Sequence, residues 1–434
     1  MIPEVRERYD QVRNWKIPQG YKQTAVGIVP QDWTEYSLGE VYTERKQAGD
    51  PSLPVLSVSI HTGVSDGELD EETLGKKVKR IEDKTQYRTA LEGDLVFNMM
   101  RAWQGAIGIV RSRGLVSPAY IVAKPGDRIY PPFMDYYMQT PRMINLIQRM
   151  SYGVTAFRLR LYWDSFEQIP CVLPPLHEQK RIVEILRAQD TIIDLGQQRI
   201  EQIKRMKKAL LKKMFPQKES FLPEIRFSGF TAPWEQRKLE EVVSLRGRIG
   251  FRGYTQTDLV DAGEGAITFS PADIDDSGKV SLTDNKYISW VKYEESPEIK
   301  VQVGDILFTK TASIGKVGFV RELREKATIN PQFALLTPNG ETDGYFTFLS
   351  VRTDEFMKKV RDITGGSSVP TMSQEKLKEL TFMAPSLVEQ KSIGDLISSL
   401  DSFITLHQRE LEEEQRKKKA LMQLLLTGLV RVNA

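Results

Sequence analysis

The stretch PPLHEQKRIVEILRAQDTIIDLGQQRIEQIKRMKKALLKKM, residues 174–214, predicts one long helix. Two prolines stand at its start, where a helix tolerates them, and no further proline occurs until Pro216. Apolar or small residues recur at positions 182, 186, 193, 196, 200, 203 and 210, in steps of three, four or seven. Such spacing is typical of a helix that packs along a narrow stripe, either in a protein core or in a coiled coil.

A second copy of this stretch favours the coiled coil. It begins with PSLVEQKSIGDLI at position 385 and is predicted to run to about position 426. Gln179 matches Gln390 and Asp190 matches Asp401, so both pairs are 211 residues apart (390 − 179 and 401 − 190). A constant offset along the whole stretch indicates an internal repeat of the chain.

The regions before the two helices repeat as well. YKQTAVGIVPQDWTEYSLGEV (21–41) is matched by IRFSGFTAPWEQRKLEEV (225–242), and each carries a tryptophan that we expect to pack in a core. LEGDLVFNMMRAWQGAIGIV (91–110) is matched by VQVGDILFTKTASIGKVGFV (301–320), and each predicts a Gly-Asp turn followed by a hairpin with a polar loop. Because the framework repeats while the loop residues differ, we expect two related sites with different specificities.

Shorter patterns complete each region. Residues 54–60 (PVLSVSI) alternate like a strand, and residues 1–20 are predicted to be a polar, partly helical arm. The segments 133–150 and 345–360 are predicted to be helical, and each is followed by a polar loop, 151–160 or 364–373.

These patterns predict an α+β chain with two similar α/β domains, two long helices that form an antiparallel coiled coil, and an internal pseudo-twofold repeat. The predicted boundaries are an N-terminal arm (1–20), a first domain (21–175), a first long helix (176–216), a second domain (217–384) and a second long helix (385–434). At 1.5 Å per residue, roughly 37 helical residues would separate the domains by about 55 Å.

Composition limits the function classes. The chain has 434 residues, a formal net charge of +3 and a single cysteine, Cys171. Because the charge is nearly balanced, any nucleic-acid surface must be local. One cysteine excludes internal disulfides and fits a reducing compartment. Since no stretch approaches about eighteen apolar residues and the N-terminus lacks an apolar signal segment, we expect a soluble cytoplasmic protein.

The sequence carries no convincing catalytic motif. It has neither a Walker A loop nor a G-x-S-x-G elbow, and its three histidines, His61, His177 and His407, lack zinc-ligand spacing. The YPPF segment at 130–133 is similar to a loop of adenine methyltransferases, but the preceding Asp or Asn and a Gly-rich cofactor loop are missing. The E-x-K triplet at 298–300 is compatible with a nuclease site, although a solvated strand face is the simpler interpretation.

The doubled arrangement resembles the specificity subunits of type I restriction–modification systems. The resemblance rests on PPLHEQKRI and PSLVEQKSI at the helix starts, on the two tryptophan segments, and on GDLVFNMMRAWQGAIG with VSPAY and GDILFTKTASIGKVG with INPQF. It implies a non-enzymatic DNA-reading subunit in which each target-recognition domain binds one half of a split, asymmetric site.

The resemblance also implies partners. The helices would dock two adenine-N6 methyltransferase (modification) subunits, and restriction subunits would complete an ATP-dependent endonuclease. This chain would bind no cofactor itself, because S-adenosylmethionine, ATP and Mg²⁺ would be held by the partner subunits. The rival interpretation is a protein-binding scaffold built from the same repeats, which would show no salt-dependent binding to DNA.

Candidate DNA contacts are the polar and basic residues of the predicted loops, because base edges and phosphates are bound by such side chains. In the first domain they are Arg101, Gln104, Tyr152, Thr155, Arg158 and Arg160. In the second domain they are Lys310, Thr311, Ser313, Lys316, Ser367 and Ser368. Arg246, Arg248 and Arg252, which are interleaved with glycines and Phe251, are further candidates.

Overall fold

The computed structural model describes residues 3–60, 63–67, 84–153, 155, 158–217, 220–247, 254–311, 313–364 and 372–432. The chain divides into two compact units. The first comprises Met1–Gln197 and Arg409–Ala434, and the second comprises Gln198–Gln408. The domain boundaries given above remain predictions.

Among its described residues, the first unit contains five short α-helices and twelve strands. The helices are α1 (Pro3–Arg13), α2 (Leu38–Val41), α3 (Pro131–Tyr137), α4 (Pro141–Met150) and α5 (Trp163–Phe166). The strands are β1 (Tyr21–Thr24), β2 (Gly27–Pro30), β3 (Thr34–Ser37), β4 (Tyr42–Glu44), β5 (Val58–Ser59), β6 (Gly63–Val64), β7 (Arg88–Ala90), β8 (Leu95–Asn98), β9 (Ile107–Ile109), β10 (Gly114–Val116), β11 (Tyr120–Pro125) and β12 (Pro170–Leu173). The first long helix, α6 (Leu176–Met214), follows.

The second unit follows the same order with an enlarged sheet region. Its helices are α7 (Leu239–Val242), α8 (Trp290–Glu295), α9 (Gly344–Ser350), α10 (Asp354–Thr364) and α11 (Gln374–Lys378). Its described strands are β13 (Glu235–Lys238), β14 (Val243–Arg246), β15 (Leu259–Val260), β16 (Gly265–Phe269), β17 (Lys286–Ser289), β18 (Ile306–Thr309), β19 (Val317–Phe319), β20 (Ala327–Ile329), β21 (Phe333–Pro338) and β22 (Thr381–Ala384). The second long helix, α12 (Leu387–Leu425), follows.

Both units contain the same four-stranded antiparallel sheet. The strand order is β4-β11-β8-β9 in the first unit and β14-β21-β18-β19 in the second. In both, the strand after the tryptophan pairs antiparallel with the strand before the long helix, β3 with β12 and β13 with β22. The predicted hairpins are confirmed, because β8 pairs antiparallel with β9 and β18 with β19. The second unit adds a sheet in the order β15-β17-β16-β20.

The two Gly-Asp turns begin the hairpins in the same way. The carboxylates of Asp94 and Asp305 are buried, and each accepts the backbone N–H three residues earlier, at 2.8 Å and 2.7 Å respectively. In the first unit Arg45 neutralises Asp94 through two hydrogen bonds, with Nε at 2.7 Å from Oδ2. In the second unit the Thr337 hydroxyl donates to Asp305 at 2.6 Å, and burial raises the pKa of Asp305 above its usual range.

Each long helix takes part in both cores. The predicted tryptophans, Trp33 and Trp234, are both 1% exposed and lie in the cores of the first and second units. The first core also holds Ile182 and Leu186 near the start of α6 and Leu425 and Leu426 at the end of α12. The second core holds Ile393 and Ile397 near the start of α12 and Met214 and Phe215 at the end of α6. The helix ends therefore match across the repeat at an offset of 211 residues (425 − 214).

The two long helices run antiparallel within each unit, as predicted. In the first unit, Gln189 donates to the Glu414 carboxylate at 2.5 Å, and Gly196 faces Leu411. The partner number falls as the residue number rises, which defines the antiparallel direction. In the second unit, Lys207 of α6 forms an ion pair with Asp401 of α12.

The charged run 410–419 of α12 contains contacts within the chain. Glu414 accepts from Gln189, which is 4% exposed in the helix interface, and Lys418 pairs with Asp190 at 2.5 Å. These residues therefore hold the two helices together in the first unit.

Three secondary-structure predictions are corrected. Residues 54–60 form the two-residue strand β5 and a single parallel bridge between Val55 and Leu115, so the predicted continuous strand is wrong. The helical segment 133–150 is divided into α3 and α4, because Pro141 begins a new helix whose N-cap is Thr140. The segment 345–360 is likewise divided between α9 and α10.

Candidate nucleic-acid interface

Three backbone segments of the first unit meet side by side. The Met99 N–H donates to the Ala119 carbonyl at 3.0 Å, and the Leu161 N–H donates to the Met99 carbonyl at 2.8 Å. Tyr152 and Arg160 exchange two further backbone hydrogen bonds, of 3.0 and 2.9 Å. The described residues of 98–104, 117–119 and 152–161 are called the first loop edge from here on. Loops that are far apart in the sequence therefore form one surface.

The second unit builds the same surface from the matching segments. The Lys310 N–H donates to the Gln332 carbonyl at 2.8 Å, and the Met372 N–H donates to the Lys310 carbonyl at 2.9 Å. Lys310 matches Met99 at the repeat offset of 211, and Met372 matches Leu161 (310 − 99 and 372 − 161). The described residues of 309–316, 330–332 and 372–374 are called the second loop edge.

The residues predicted to contact DNA in the first domain all lie on the first loop edge. Each of the six is exposed: Arg101, Gln104, Tyr152, Thr155, Arg158 and Arg160. In the described part of the chain, none of the three guanidinium groups forms an ion pair with a carboxylate. The first loop edge therefore presents uncompensated positive charge, which suits phosphate oxygens and guanine edges.

Tyr152 is presented as an aromatic surface on this edge. Its side chain is 52% exposed, and its ring centroid lies 5.2 Å from that of Tyr162. Arg160 donates to the Tyr162 hydroxyl at 3.5 Å, so the cation and both rings are held together. Such a cluster can stack on a sugar or a base face as well as donate hydrogen bonds.

The second loop edge is less uniformly exposed. Lys310 is half-buried, and desolvation lowers the pKa of its ammonium group. Lys316 donates its ammonium to the Pro271 carbonyl at 2.7 Å, which fastens the hairpin loop to the segment after β16. Thr311 is half-buried and Ser313 is exposed beside it. Ser367 and Ser368 lie outside the described residues.

Of the additional arginine candidates, the structure describes Arg246. Arg246 lies in β14 and donates to the Thr337 hydroxyl at 2.5 Å, so its side chain is engaged within the sheet. It occupies the place that Arg45 takes beside Asp94 in the first unit. Arg248, Phe251 and Arg252 lie outside the described residues, as does His61.

Two positioning residues of the first loop edge were not singled out as site residues from the sequence. Asn98 accepts the Met100 N–H through its side-chain oxygen at 2.9 Å, and the Trp103 indole N–H donates to the Met100 carbonyl at 3.1 Å. In the second unit, an added Cβ on Gly247 would meet Gln374 at 2.3 Å and Lys310 at 3.6 Å, so these groups are closely packed. The sequence held one signal for these residues, which is the repeat offset of 211. It aligns residue 99 with residue 310 and so aligns the loops that follow them.

The sequence motifs that resembled catalytic sites have structural roles. Buried Glu178, which follows His177, accepts the Trp33 indole N–H at 3.0 Å. The YPPF segment begins α3, and the Tyr130 N–H donates to the Gln179 side chain at 2.8 Å. In the E-x-K triplet, Lys300 pairs with Glu294.

Two features are absent from the described residues. These residues contain no group of three His, Cys, Asp or Glu side chains placed to hold a metal ion. None of the described helices combines the length and apolar character that crossing a bilayer requires.

Comparison with known proteins identifies a family model that matches both halves of the chain. The model, described as type I restriction modification DNA specificity domain, matches residues 30–205 and again residues 232–414. A Methanocaldococcus jannaschii protein provisionally named the type I restriction enzyme MjaX specificity subunit is 24% identical over 434 residues, covering 95% of this chain and 97% of that protein. The HindI specificity subunit of Haemophilus influenzae is 20% identical over 416 residues, covering 82% of this chain and 90% of that one.

Solved structures share the fold. One comes from a study of complex assembly and conformational transition of the type I R-M system; it matches with a TM-score of 0.58 at 18% identity, covering 93% of this chain and 99% of that one. The crystal structure of the S subunit of a type I restriction–modification system from M. genitalium matches with a TM-score of 0.53 at 13% identity, covering 91% of this chain and 96% of that one.

Proposed function

We propose, from the premise that this chain belongs to the type I restriction–modification DNA specificity family, that each of its two loop edges reads one half of a split, asymmetric DNA site. The chain is then the DNA sequence-recognition subunit of a type I restriction–modification complex. It performs no chemistry itself and assembles with the other subunits of the system.

The repeated loop edge is the observation that carries this proposal. The backbone bonds of Met99 to the segments on either side recur at Lys310. The side chains differ: the first edge presents three exposed arginines, whereas Lys310 is half-buried and Lys316 is engaged with a carbonyl. A common backbone frame with unlike side chains is what two readers of different base sequences require.

An exchange of loops tests the proposal. Residues 91–160 are replaced by the matching residues of a relative, and the methylated motif is read by sequencing the genomic DNA of the host strain. One half of the motif should change while the other half stays. The reciprocal exchange of residues 301–373 is the matched control and should change only the other half. If both halves change in either variant, or neither half changes, the two edges are not independent readers.

We further propose that the long helices dock two copies of one partner, the methyltransferase subunit. Ile192 and Leu195 are exposed on α6 in the first unit, and Phe403 and Leu406 are exposed on α12 in the second unit. The two pairs match at the repeat offset of 211 (403 − 192 and 406 − 195). An apolar pair that is kept exposed at the same repeat position in both units suits two copies of the same partner surface.

The stoichiometry of the complex tests this docking. Replacing Ile192 and Leu195 with Gln should leave one methyltransferase bound per chain, as measured by native mass spectrometry, and the same change at 403 and 406 should have the same effect. Met206→Gln is the control, because Met206 is also exposed on α6 but its repeat position, 417, is a lysine. Two bound copies in both double variants would contradict the assignment of these pairs.

The cofactors belong to the partners in this proposal. The methyltransferase subunits hold S-adenosylmethionine for adenine-N6 methylation, and added restriction subunits hold ATP and Mg²⁺ for ATP-dependent cleavage. We propose the cytoplasm as the compartment, where the substrate DNA and the partners are present.

The helices also set the spacing of the half-sites in this proposal. Four residues inserted after Gln197 lengthen a helix by about 6 Å. At about 3.4 Å per base pair, the spacer in the methylated motif should grow by roughly one or two base pairs. An active variant with an unaltered spacer would show that the helices do not set it.

The rival scaffold function predicts a different result with DNA. Log Kd for a DNA reader must depend steeply on log salt, because bound cations are released from the phosphates. If the chain assembled with its methyltransferase shows no salt-dependent binding to DNA, the scaffold interpretation replaces the proposed function.

A further inference from the structure

Met100 is an exposed apolar side chain in the loop between β8 and β9. Its side chain is 47% exposed, and its neighbours on the first loop edge, Arg101 and Gln104, are exposed as well. A single exposed apolar residue is common on protein surfaces and needs no explanation by itself. Met100 differs from such residues because its backbone is held in place by hydrogen bonds.

The backbone of Met100 is held on both sides. Its N–H donates to the Asn98 side chain at 2.9 Å, and its carbonyl accepts from the Trp103 indole at 3.1 Å. The preceding residue, Met99, is bonded through its N–H to Ala119 and through its carbonyl to Leu161. The exposed thioether is therefore displayed from a fixed position, which reduces the conformational entropy lost when it binds.

The fold does not require an apolar residue at this position. The matching residue of the second loop edge is Thr311, at the repeat offset of 211 (311 − 100), and it follows Lys310, whose backbone makes the same bonds as that of Met99. The same frame thus accepts a small polar side chain. We therefore attribute the methionine to what the first loop edge binds, and not to the packing of the fold.

We infer that Met100 is a specificity-determining residue that packs against the 5-methyl group of a thymine in the first half-site. This inference rests on the proposed function. In the major groove, the thymine methyl is the apolar feature that a base pair offers to a side chain. The unbranched thioether adapts readily to such a group. Arg101, next along the loop, is then free to bind an adjacent guanine or phosphate.

The surroundings favour DNA over an apolar protein partner. Arg101, Arg158 and Arg160 are exposed on the same edge and form no ion pair with a carboxylate among the described residues. An apolar protein surface that covered Met100 would desolvate these cations without compensating them, whereas a duplex supplies phosphates.

Replacement of thymine by deoxyuridine tests the contact directly, because deoxyuridine lacks only the methyl group. The half-site is first read from methylated genomic DNA. The chain assembled with its methyltransferase is then titrated with duplexes in which each thymine of the first half-site is replaced in turn. At one position the replacement should weaken wild-type binding about fourfold, the value for one buried methyl group. In Met100→Ser, which supplies the hydroxyl group of the threonine at this position in the second repeat but no methyl group, the same replacement should have no effect.

The control variant is Val303→Thr. Val303 is also an exposed apolar residue, but it lies in the turn before β18, away from the loop that follows this strand. It should keep the wild-type sensitivity to deoxyuridine.

Three results would overturn the inference. They are a first half-site without any thymine, a wild-type complex indifferent to every replacement, and a Met100→Ser complex as sensitive as the wild type. Each of these leaves sequence-specific methylation intact, so the proposed function would stand. Loss of sequence-specific binding by the wild-type complex would instead contradict the proposed function itself.

Discussion

Arg431 and Glu178 are separated by 253 residues in the sequence, yet Arg431 Nε lies 2.8 Å from Glu178 Oε1. A second hydrogen bond, of 2.9 Å, joins the same guanidinium to Oε2. Glu389 is the repeat counterpart of Glu178 and binds Arg226 through two hydrogen bonds of 2.7 Å. The buried carboxylate thus recurs with the helix, whereas its arginine comes from the C-terminal tail in one unit and from the segment after α6 in the other.

The N-terminal arm and Tyr21, the first residue of β1, both contact the same tail. Arg8 of α1 donates to the Leu429 carbonyl at 2.6 Å, and the Tyr21 hydroxyl donates to the Gly428 carbonyl at 2.6 Å. The predicted partly helical arm is confirmed, and its contacts show that it helps to hold the end of the chain on the first unit.

Arg431→Ala should destabilise the first unit by about 2 to 4 kcal/mol, because it leaves the Glu178 carboxylate buried with the Trp33 indole as its one remaining partner among the described residues. Denaturant unfolding and hydrogen exchange of β3 and β12 measure the loss. Arg416→Ala removes an exposed arginine from α12 and is the control, with an expected change within about 0.5 kcal/mol. Equal stability of both variants would show that the Glu178 pair does not stabilise the tail.

Gln179→Ala and Gln390→Ala should each destabilise their own unit by about 1 to 3 kcal/mol, the cost of buried backbone groups left unpaired. Gln179 accepts from the Tyr130 N–H at 2.8 Å and donates to two carbonyls, at 3.0 and 2.9 Å. Gln390 accepts from the Asp343 N–H and donates to one carbonyl. The Gln179 variant should therefore lose more stability than the Gln390 variant, as measured by hydrogen exchange at the starts of the two long helices. The reverse order would contradict this reasoning.

Asp190 and Lys418 should couple in a double-mutant cycle. Asp190 also accepts from the Tyr136 hydroxyl at 2.6 Å, so Asp190→Ala should cost more than Lys418→Ala. For this partly exposed pair we expect a coupling energy of about 0.5 to 1 kcal/mol from unfolding measurements. The reciprocal pair Lys207–Asp401 offers a matched cycle in the second unit. Strict additivity in both cycles would show that these ion pairs contribute nothing.

Cys171 should react with thiol reagents only when the first unit unfolds. Its side chain is fully buried, and this burial raises the pKa of the thiol to about 12, against about 8.5 for an exposed thiol. The folded chain should stay unlabelled at pH 8, and denaturant should release one reactive thiol. Because the unfolded thiol ionises first, this group's contribution to stability falls as the pH rises from about 8.5 to about 12. Rapid labelling of the native chain would contradict the buried position.

Arg101→Ala should weaken binding to the first half-site by about 1 to 3 kcal/mol if the guanidinium pairs with a guanine. Anisotropy titrations of the assembled complex, at one salt concentration, measure the change. Arg205→Ala, an exposed arginine on α6, removes the same charge and is the control. A loss that is equal for specific and random duplexes would assign Arg101 to a phosphate instead.

The helices and hairpins could be predicted because their signals are local. The periodic apolar residues, the prolines at the helix starts and the Gly-Asp turns each act within a few residues of themselves. Residues 54–60 show the limit of such signals: alternation predicted one strand, but Val55 bridges to Leu115 in β10 whereas Val58 and Ser59 pair with β6. Strand formation needs a neighbour, and the neighbour is supplied by distant parts of the chain.

Local patterns in the sequence are sufficient to predict the internal repeat, the two long helices and the two similar frameworks that carry the loop residues. The folded chain shows which loops share an edge. Met99 meets Leu161 and Lys310 meets Met372 through backbone hydrogen bonds, and no side-chain pattern in the sequence encodes these bonds. The tertiary structure also decided that Arg431 neutralises Glu178, whereas Arg226 neutralises Glu389. The reason is physical: periodicity reports which face of an element is buried, but the partner of a buried charge depends on how distant segments pack.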